Sequence, residues 1–278
     1  MTHKNALHVL TWHRGIEMLD VCIKGESFGK HSHDAFAIGM IEGGVGGNFV
    51  RGSKEVLPAC TVSLMNPDEP HTGYAVTKSL KYKMLYVSED ELREMLDHQP
   101  IKGFQNCVAH DVDGKIRKLF DALAYALSRP KNSGWKISVD TQLTLTLETL
   151  MTRYAGLSVR KAGQEVAAVQ RVKDYLDSLA NSIALSPFEL NSKAVSLGDL
   201  AKMVGLQPNY LVNVFRAKVG ISPYAYWTVR RMASAKAMLL RGISPLDVMF
   251  KLGFYDQAHF IKAFKRTTGI TPKQILGH

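Results

Sequence analysis

Cysteine is scarce in this chain. Cys22, Cys60 and Cys107 stand far apart in 278 residues, with no CxxC or CxxxC pair. That spacing excludes a disulfide framework and a cysteine-based structural zinc site, and it suits a reducing compartment. Long apolar runs are absent too. No stretch approaches the length of a membrane-spanning helix, so no membrane partner is expected. The opening MTHKNALHVLTWHRG lacks the apolar centre of a secretory signal, and a cytoplasmic location is expected. Acidic residues are missing from one region in particular. From Ser196 to His278 there are 12 Lys and Arg against 3 Asp and Glu, a net of +9 out of +10 for the whole chain. A field so concentrated fits a polyanion, either nucleic acid or an anionic surface, with a solvated basic face as the plain alternative.

A hydrophobic fraction of 46% is ordinary for a core-forming protein, and the length suggests two domains. Up to about Val87 the chain reads as strands. AFAIGMI and TVSLMN are short β-rich runs, broken by Gly-rich turns such as EGGVGGN. This spacing points to a small antiparallel barrel or sandwich. Ser88, with Glu91 three residues later, forms a capping-box pattern that opens helical sequence. Two apolar stripes follow. Ile116, Leu119, Phe120, Leu123 and Leu127 make one; Val139, Leu143, Leu147, Leu150 and Tyr154 make the other, beyond a loop RPKNSGW. Such stripes are either core or a dimer interface. The polar, small-residue stretch 155–170 reads as a linker, and the remainder is helical.

The helical part contains a repeat. Leu211, Phe215, Gly220 and Pro223 match Phe260, Phe264, Gly269 and Pro272, each 49 residues on. Upstream, Ser196, Asp199 and Gly205 match Ser244, Asp247 and Gly253 at an offset of 48, so the second copy has one extra residue in its turn. In each copy a serine caps a short helix, an aspartate sits near the helix's positive end, and a glycine stops it. A second helix follows, over Pro208–Val219 and Gln257–Thr267, with apolar i, i+4 pairs turned inward. That is the helix–turn–helix unit, predicted over 196–219 and again over 244–267. Between the copies, YAYWTVRRMASAKAMLL predicts one helix over Pro223–Leu240, with Gly242 just past its end. At 1.5 Å per residue it spans ~27 Å, enough to hold two recognition helices near one DNA turn, ~34 Å, apart.

The stretch from about Val166 to Leu276 resembles the DNA-binding domain of the AraC/XylS family of bacterial transcription regulators. GFYDQAHFIKAFKRTTGITPKQI is similar to that family's second helix–turn–helix signature, and SPYAYWTVRRMASAKAML to its linker helix. SLANSIALSPFELNSKAVSL, ahead of the first unit, is longer than the family's usual connection. The resemblance implies base-facing positions Asn209, Val212 and Asn213 in the first recognition helix, and Gln257, Ala258 and Lys262 in the second. The chemistry fits: Asn and Gln pair with adenine, Lys with guanine, and Val or Ala meets a thymine methyl. Arg216, Lys218, Lys265 and Arg266 are assigned to phosphates.

Residues 31–73, with HSHDAFAIGMIEGG and NPDEPHTG, resemble a cupin barrel of the kind that binds effectors and dimerises in many of these regulators. His31 and His33 share a strand face, and His71 follows a proline-rich turn. A metal-binding cupin places a glutamate a few residues after the paired histidines; here that place is filled by FAI, and Glu42 comes late. Three histidines could still hold a divalent ion, line a ligand pocket, or satisfy backbone groups. The reading taken is a pocket of His31, His33, Phe36 and His71, with no metal or other cofactor.

The expected fold is therefore two-domain α+β. A cupin-like β-barrel with a helical dimerisation segment spans 1–154, a linker 155–170, and an all-α domain with two helix–turn–helix units 171–278. The expected function is a sequence-specific transcription regulator, not an enzyme, controlled by a small-molecule effector. Double-stranded operator DNA, a second copy of the chain and RNA polymerase are its expected partners. The alternative is a metal-dependent cupin enzyme with a basic accessory domain. A DNA-alkyl acceptor would carry the same helices but needs clustered cysteines.

Overall fold

The computed structural model describes residues 5–129, 134–158, 163–185, 195–254 and 256–275. Parts of the RPKNSGW loop, the linker and the long SLANSIALSPFELNSKAVSL connection lie outside the described residues. The chain divides into two units: Met1–Leu127 with Leu145–Val159, and Ser128–Thr144 with Arg160–His278. The expected boundary at 154 thus differs in one respect, because 128–144 groups with the helical unit.

The first unit runs β1 (Ala6–Val9), β2 (Ile16–Ile23), β3 (Ser27–His31), β4 (Ala35–Gly43), β5 (Val45–Val50), β6 (Ser53–Pro58), β7 (Thr61–Met65), β8 (His71–Ala75), β9 (Leu80–Ser88), α1 (Glu89–Met95), β10 (Val108–His110) and α2 (Lys115–Leu127), followed by α3 (Trp135–Tyr154). The strands pair antiparallel into two sheets, ordered β1-β2-β9-β4-β7-β10 and β3-β8-β5-β6. Alternation decides which side chains enter the space between them. On β9, Leu80, Tyr82, Met84 and Tyr86 turn toward that space. The intervening Lys83 is buried elsewhere, with its ammonium between Glu42 and Asp121, 2.8 Å from the latter. The Gly-rich run is also explained by crowding. Gly44 has φ +77°, and a Cβ on Gly47 would fall 2.5 Å from the Tyr74 ring.

Ser88 caps α1 by accepting from the Glu91 amide, as its spacing predicts. Glu91 does not return the bond. Its carboxylate instead accepts from the Arg14 amide at 3.0 Å and meets His13 Nδ1 at 2.6 Å, so the capping box is half made and Glu91 ties α1 to the β1–β2 loop. Both predicted stripes are mostly interior, with Leu119 and Tyr154 half-buried. Ile116, Phe120 and Leu123 on α2, and Val139, Leu143, Leu147 and Leu150 on α3, are fully buried within the single chain. The choice left open between core and dimer interface falls to core.

The second unit continues with α4 (Val166–Leu185), α5 (Leu197–Val204), α6 (Pro208–Val219), α7 (Pro223–Leu240), α8 (Pro245–Lys251), α9 (Gln257–Thr268) and α10 (Pro272–Ile275). Helix α4 begins inside the expected linker, which shortens accordingly. Ser196 and Ser244 cap α5 and α8 by accepting from the amides of Asp199 and Asp247. Gly205, Gly220, Gly253 and Gly269 all adopt left-handed φ at or just past a helix end. Leu211, Phe215, Trp227, Phe260 and Phe264 are fully buried. Each contributes roughly 1.5–3 kcal/mol by leaving water. Within this unit the first half of α3 also bonds the entry to α5: the Ile137 amide donates to Val195 (3.1 Å) and the Leu197 amide to Asp140 (3.2 Å).

Candidate nucleic-acid interface and barrel cavity

The two helix–turn–helix units are α5–α6 and α8–α9, joined by the unbroken 18-residue α7. One side chain fastens the second unit to that rod. Arg231 of α7 is buried; it donates to the Leu252 carbonyl at the end of α8 and stacks on Phe254, 4.3 Å from the ring centroid. Burial lowers its pKa below the usual arginine value. No sequence signal separates this arginine from its half-buried neighbour Arg230, which pairs with Asp177 at 2.6 Å, because only the helix's three-dimensional face distinguishes them.

Helix α9 starts at Asp256, whose carboxylate accepts from the Ala258 amide at 2.9 Å and pairs with Arg129 at 2.6 Å. Arg129 holds the Asp256 carboxyl below the usual range. Gln257, Ala258 and Lys262 are all exposed on α9, and Lys265 and Arg266 follow in its last turn. His259, half-buried against Phe254, has its pKa brought down to about 4, by burial first and by Arg129 and Arg231 next.

The first recognition helix needs a correction. Asn209 is 3% and Val212 0% exposed, so neither can meet a base edge as α6 stands here. Helix α6 is engaged with its own chain at both ends. The Tyr210 hydroxyl donates to Glu165 at 2.6 Å and accepts from the Gly163 amide at 3.0 Å, and Lys218 reaches Gln164 at 2.9 Å. Asn213 is half-buried, whereas Arg216 and Lys218 are exposed. The family's pattern implied 209, 212 and 213 as positions; it could not show that α4, α5, α7 and the 163–165 segment pack against α6 in this chain.

Between the two sheets of the first unit lies a cavity of about 310 Å³. Its wall is apolar apart from a cluster of three histidines, the buried Asn48 carboxamide and a few hydroxyls. His31 and His71 face one another across the β3–β8 pair, and His33 stands two residues further on. The ring centroids are 4.4–5.3 Å apart, and Tyr86 packs on His33 at 4.8 Å. The Asp68 amide donates to the His33 carbonyl at 2.6 Å, tying the proline-rich turn to this loop. Burial, then His31 and His71, lower the His33 pKa. Burial also pushes Tyr86 up to about 12, so its phenol stays protonated.

His31, His33 and His71 line the cavity, as expected, but Phe36 does not. It is 4% exposed and packs edge-on against Phe104 at 5.5 Å, on the opposite face of β4. The inward residues there are Ala37 and Ile41, one strand position away. Tyr74, Tyr82, Met84 and Tyr86 were missed; the alternation in KYKMLYV is the signal that would have found the last three on β9, while Tyr74 stands on β8 beside His71. Glu42 is occupied by Lys81 (2.8 Å) and Lys83, away from the histidines.

Two helix–turn–helix units on one rod, with a ligand-sized β-cavity in a separate unit, define a DNA-binding regulator with a ligand-binding domain. The chain belongs to the AraC family of transcriptional regulators. Residues 13–147 match the AraC-like ligand binding domain and residues 200–277 a helix-turn-helix domain. It is 30% identical over 209 residues to the probable transcriptional regulator LumQ of Photobacterium leiognathi, covering 73% of this chain and 78% of that one. It is 26% identical over 242 residues to the uncharacterized HTH-type transcriptional regulator YbfI of Bacillus subtilis, covering 84% and 82%. The arabinose operon regulatory protein of Escherichia coli shares 30% over 105 residues, 37% of this chain and 34% of that one. These relatives are named as regulators, not enzymes, and this chain is a regulator. No helix among the described residues is long and apolar enough to cross a membrane.

Proposed function

We propose that the chain binds a specific operator through both helix–turn–helix units and that a small, largely apolar molecule in the barrel cavity modulates this binding. The observation that carries the reading is the pair of helix–turn–helix units on one continuous helix. Gln257, Ala258 and Lys262 read bases from α9, and Lys265 and Arg266 hold phosphates. Asn213 reads from α6, with Arg216 and Lys218 on the backbone. Asn209 and Val212 are withdrawn as readers on account of their burial. By linkage, effector and DNA must change each other's affinity by the same factor. A homodimer and a contact with RNA polymerase belong to this reading on the family's pattern, and the interior α2 and α3 stripes are not the dimer surface.

The test is selection of bound sites from random duplexes, followed by footprinting at several salt concentrations. An enriched motif occupying two neighbouring major-groove segments is expected. Affinity should fall by roughly 0.9 log units per log salt for each phosphate neutralised. No enrichment, or a flat salt response, would refute it. A metabolite thermal-shift screen tests the cavity.

A further inference from the structure

We infer that Arg129, which lies outside both helix–turn–helix units, is a positioning residue for DNA recognition and fixes the entry of the second recognition helix, α9. The inference rests on the operator-binding reading above. Asp256 divides its two oxygens between two tasks. Oδ1 accepts from the Ala258 amide at 2.9 Å and so caps α9; Oδ2 accepts from Arg129 Nη1 at 2.6 Å. A cap held by an amide alone can swing with the loop before it. Gripped also by Arg129, it sets where the first turn points, and that turn carries Gln257 and Ala258. Charge acts in the same direction. The Asp256 side chain is 39% exposed at the end of α9 that enters the groove in this reading, and a bare carboxylate there would repel phosphates. Arg129 cancels that charge.

Arg129 does not act from a loose tether. It belongs to Ser128–Thr144, which groups with the helical unit, and further contacts seat that stretch. Gly134 lies so close to Arg231 that a Cβ would fall 2.9 Å from its Nη1. The Ile137 amide donates to the Val195 carbonyl at 3.1 Å, and buried Asp140 accepts at 3.2 Å from the amide of Leu197, the first residue of α5. The same stretch thus meets the rod α7 and the starts of α5 and α9. Gln257, Ala258 and Lys262 stay exposed, so it braces α9 without covering its readers. Arg129, Gly134, Ile137 and Asp140 all fall within 13–147, the segment that matches the ligand binding domain. Recognition therefore draws on a residue from the regulatory part of the sequence, ahead of the stretch from Val166 that carries the family's DNA-binding pattern.

The experiment uses the full-length chain and two duplexes: the one selected from random sequence and a scrambled one of equal length. Arg129→Gln should lower the ratio of specific to non-specific affinity by about tenfold, within the range of coupled sites, and leave the salt slope unchanged. Arg129→Lys, which keeps the charge, should recover most of that ratio. Loss of folded protein alone would weaken both complexes equally and leave the ratio intact. Asp256→Asn keeps a capping side chain and removes the ion pair. It should lower the ratio to the same extent, with the double variant no worse than either, and it decides the outcome if Arg129→Gln does not fold. An unchanged ratio overturns the inference. So does a salt slope reduced by about 0.9, the mark of a direct phosphate contact, or a tighter operator complex in Arg129→Gln, the mark of an inhibitory latch. If the wild type prefers no duplex, the regulator reading falls as well; if wild type and variants discriminate equally, only the role of Arg129 falls.

Discussion

Replacing Arg231 with alanine should lower the stability of the helical unit by about 3–5 kcal/mol. The guanidinium donates to the Leu252 carbonyl, and a hydrogen bond from a charged donor is worth about 1.5–3 kcal/mol. It also lies 4.3 Å over Phe254 and 5.7 Å over Trp227, away from water, where cation–π stacking adds about 2 kcal/mol. Truncation leaves a cavity against these rings, for roughly another 2 kcal/mol. Against this stands the relief of no longer burying a charge, whose reality shows in the lowered pKa. Arg231→Met separates the parts. It keeps apolar volume on Trp227 and Phe254 and removes the charge, leaving mainly the unmet carbonyl, so a loss of about 1 kcal/mol is expected. Urea denaturation of the full chain followed by tryptophan fluorescence measures both variants. A loss below about 1 kcal/mol for alanine, or a methionine variant less stable than the alanine one, would refute the account.

Three further outcomes are expected. His259 has a folded pKa of about 4, below the ordinary 6.5, so the unfolded chain binds the extra proton between these values. Its contribution is complete above about pH 6.5 and lost as pH falls toward 4; allowing for partial exposure it amounts to about 1–2 kcal/mol, and His259→Gln should flatten that arm of the urea midpoint against pH. Lys262→Ala should weaken operator binding by about 1–3 kcal/mol and relax base preference at one position, whereas Val212→Ala should lower stability and leave base preference unchanged; binding titrations on operator variants separate the two. Phe36→Ala should lower stability by about 3–5 kcal/mol in urea, and a loss under 1 kcal/mol would contradict its packing on Phe104.

The helical unit was readable almost residue by residue because its signals are local. Serine caps, stop glycines and proline at the first helical position each act within one turn, and Pro223–Leu240 matches α7 at both ends. The barrel was readable as a class but not as a pocket. Phe36 and Ala37 are neighbours on one strand, both buried, and a run that is apolar on both faces carries no phase. The histidines were visible as candidates, yet their convergence depends on β3 pairing with β8, a contact between strands about 40 residues apart in sequence. Val212 failed for a related reason. A family's pattern fixes a position, but only tertiary packing says whether water or protein covers it. Arg231 shows the same limit, being indistinguishable in sequence from a solvated basic residue.

The continuity of α7 gives the recognition surface a fixed phase. Adding one residue to that helix would turn α9 against α6 by about 100° and shift it 1.5 Å along the axis. Point changes in the readers can retune which bases are preferred; changes in length cannot be absorbed. Because α6 and α9 differ in sequence, a site matched to them has a head and a tail, and a single bound molecule would point in one direction along the DNA.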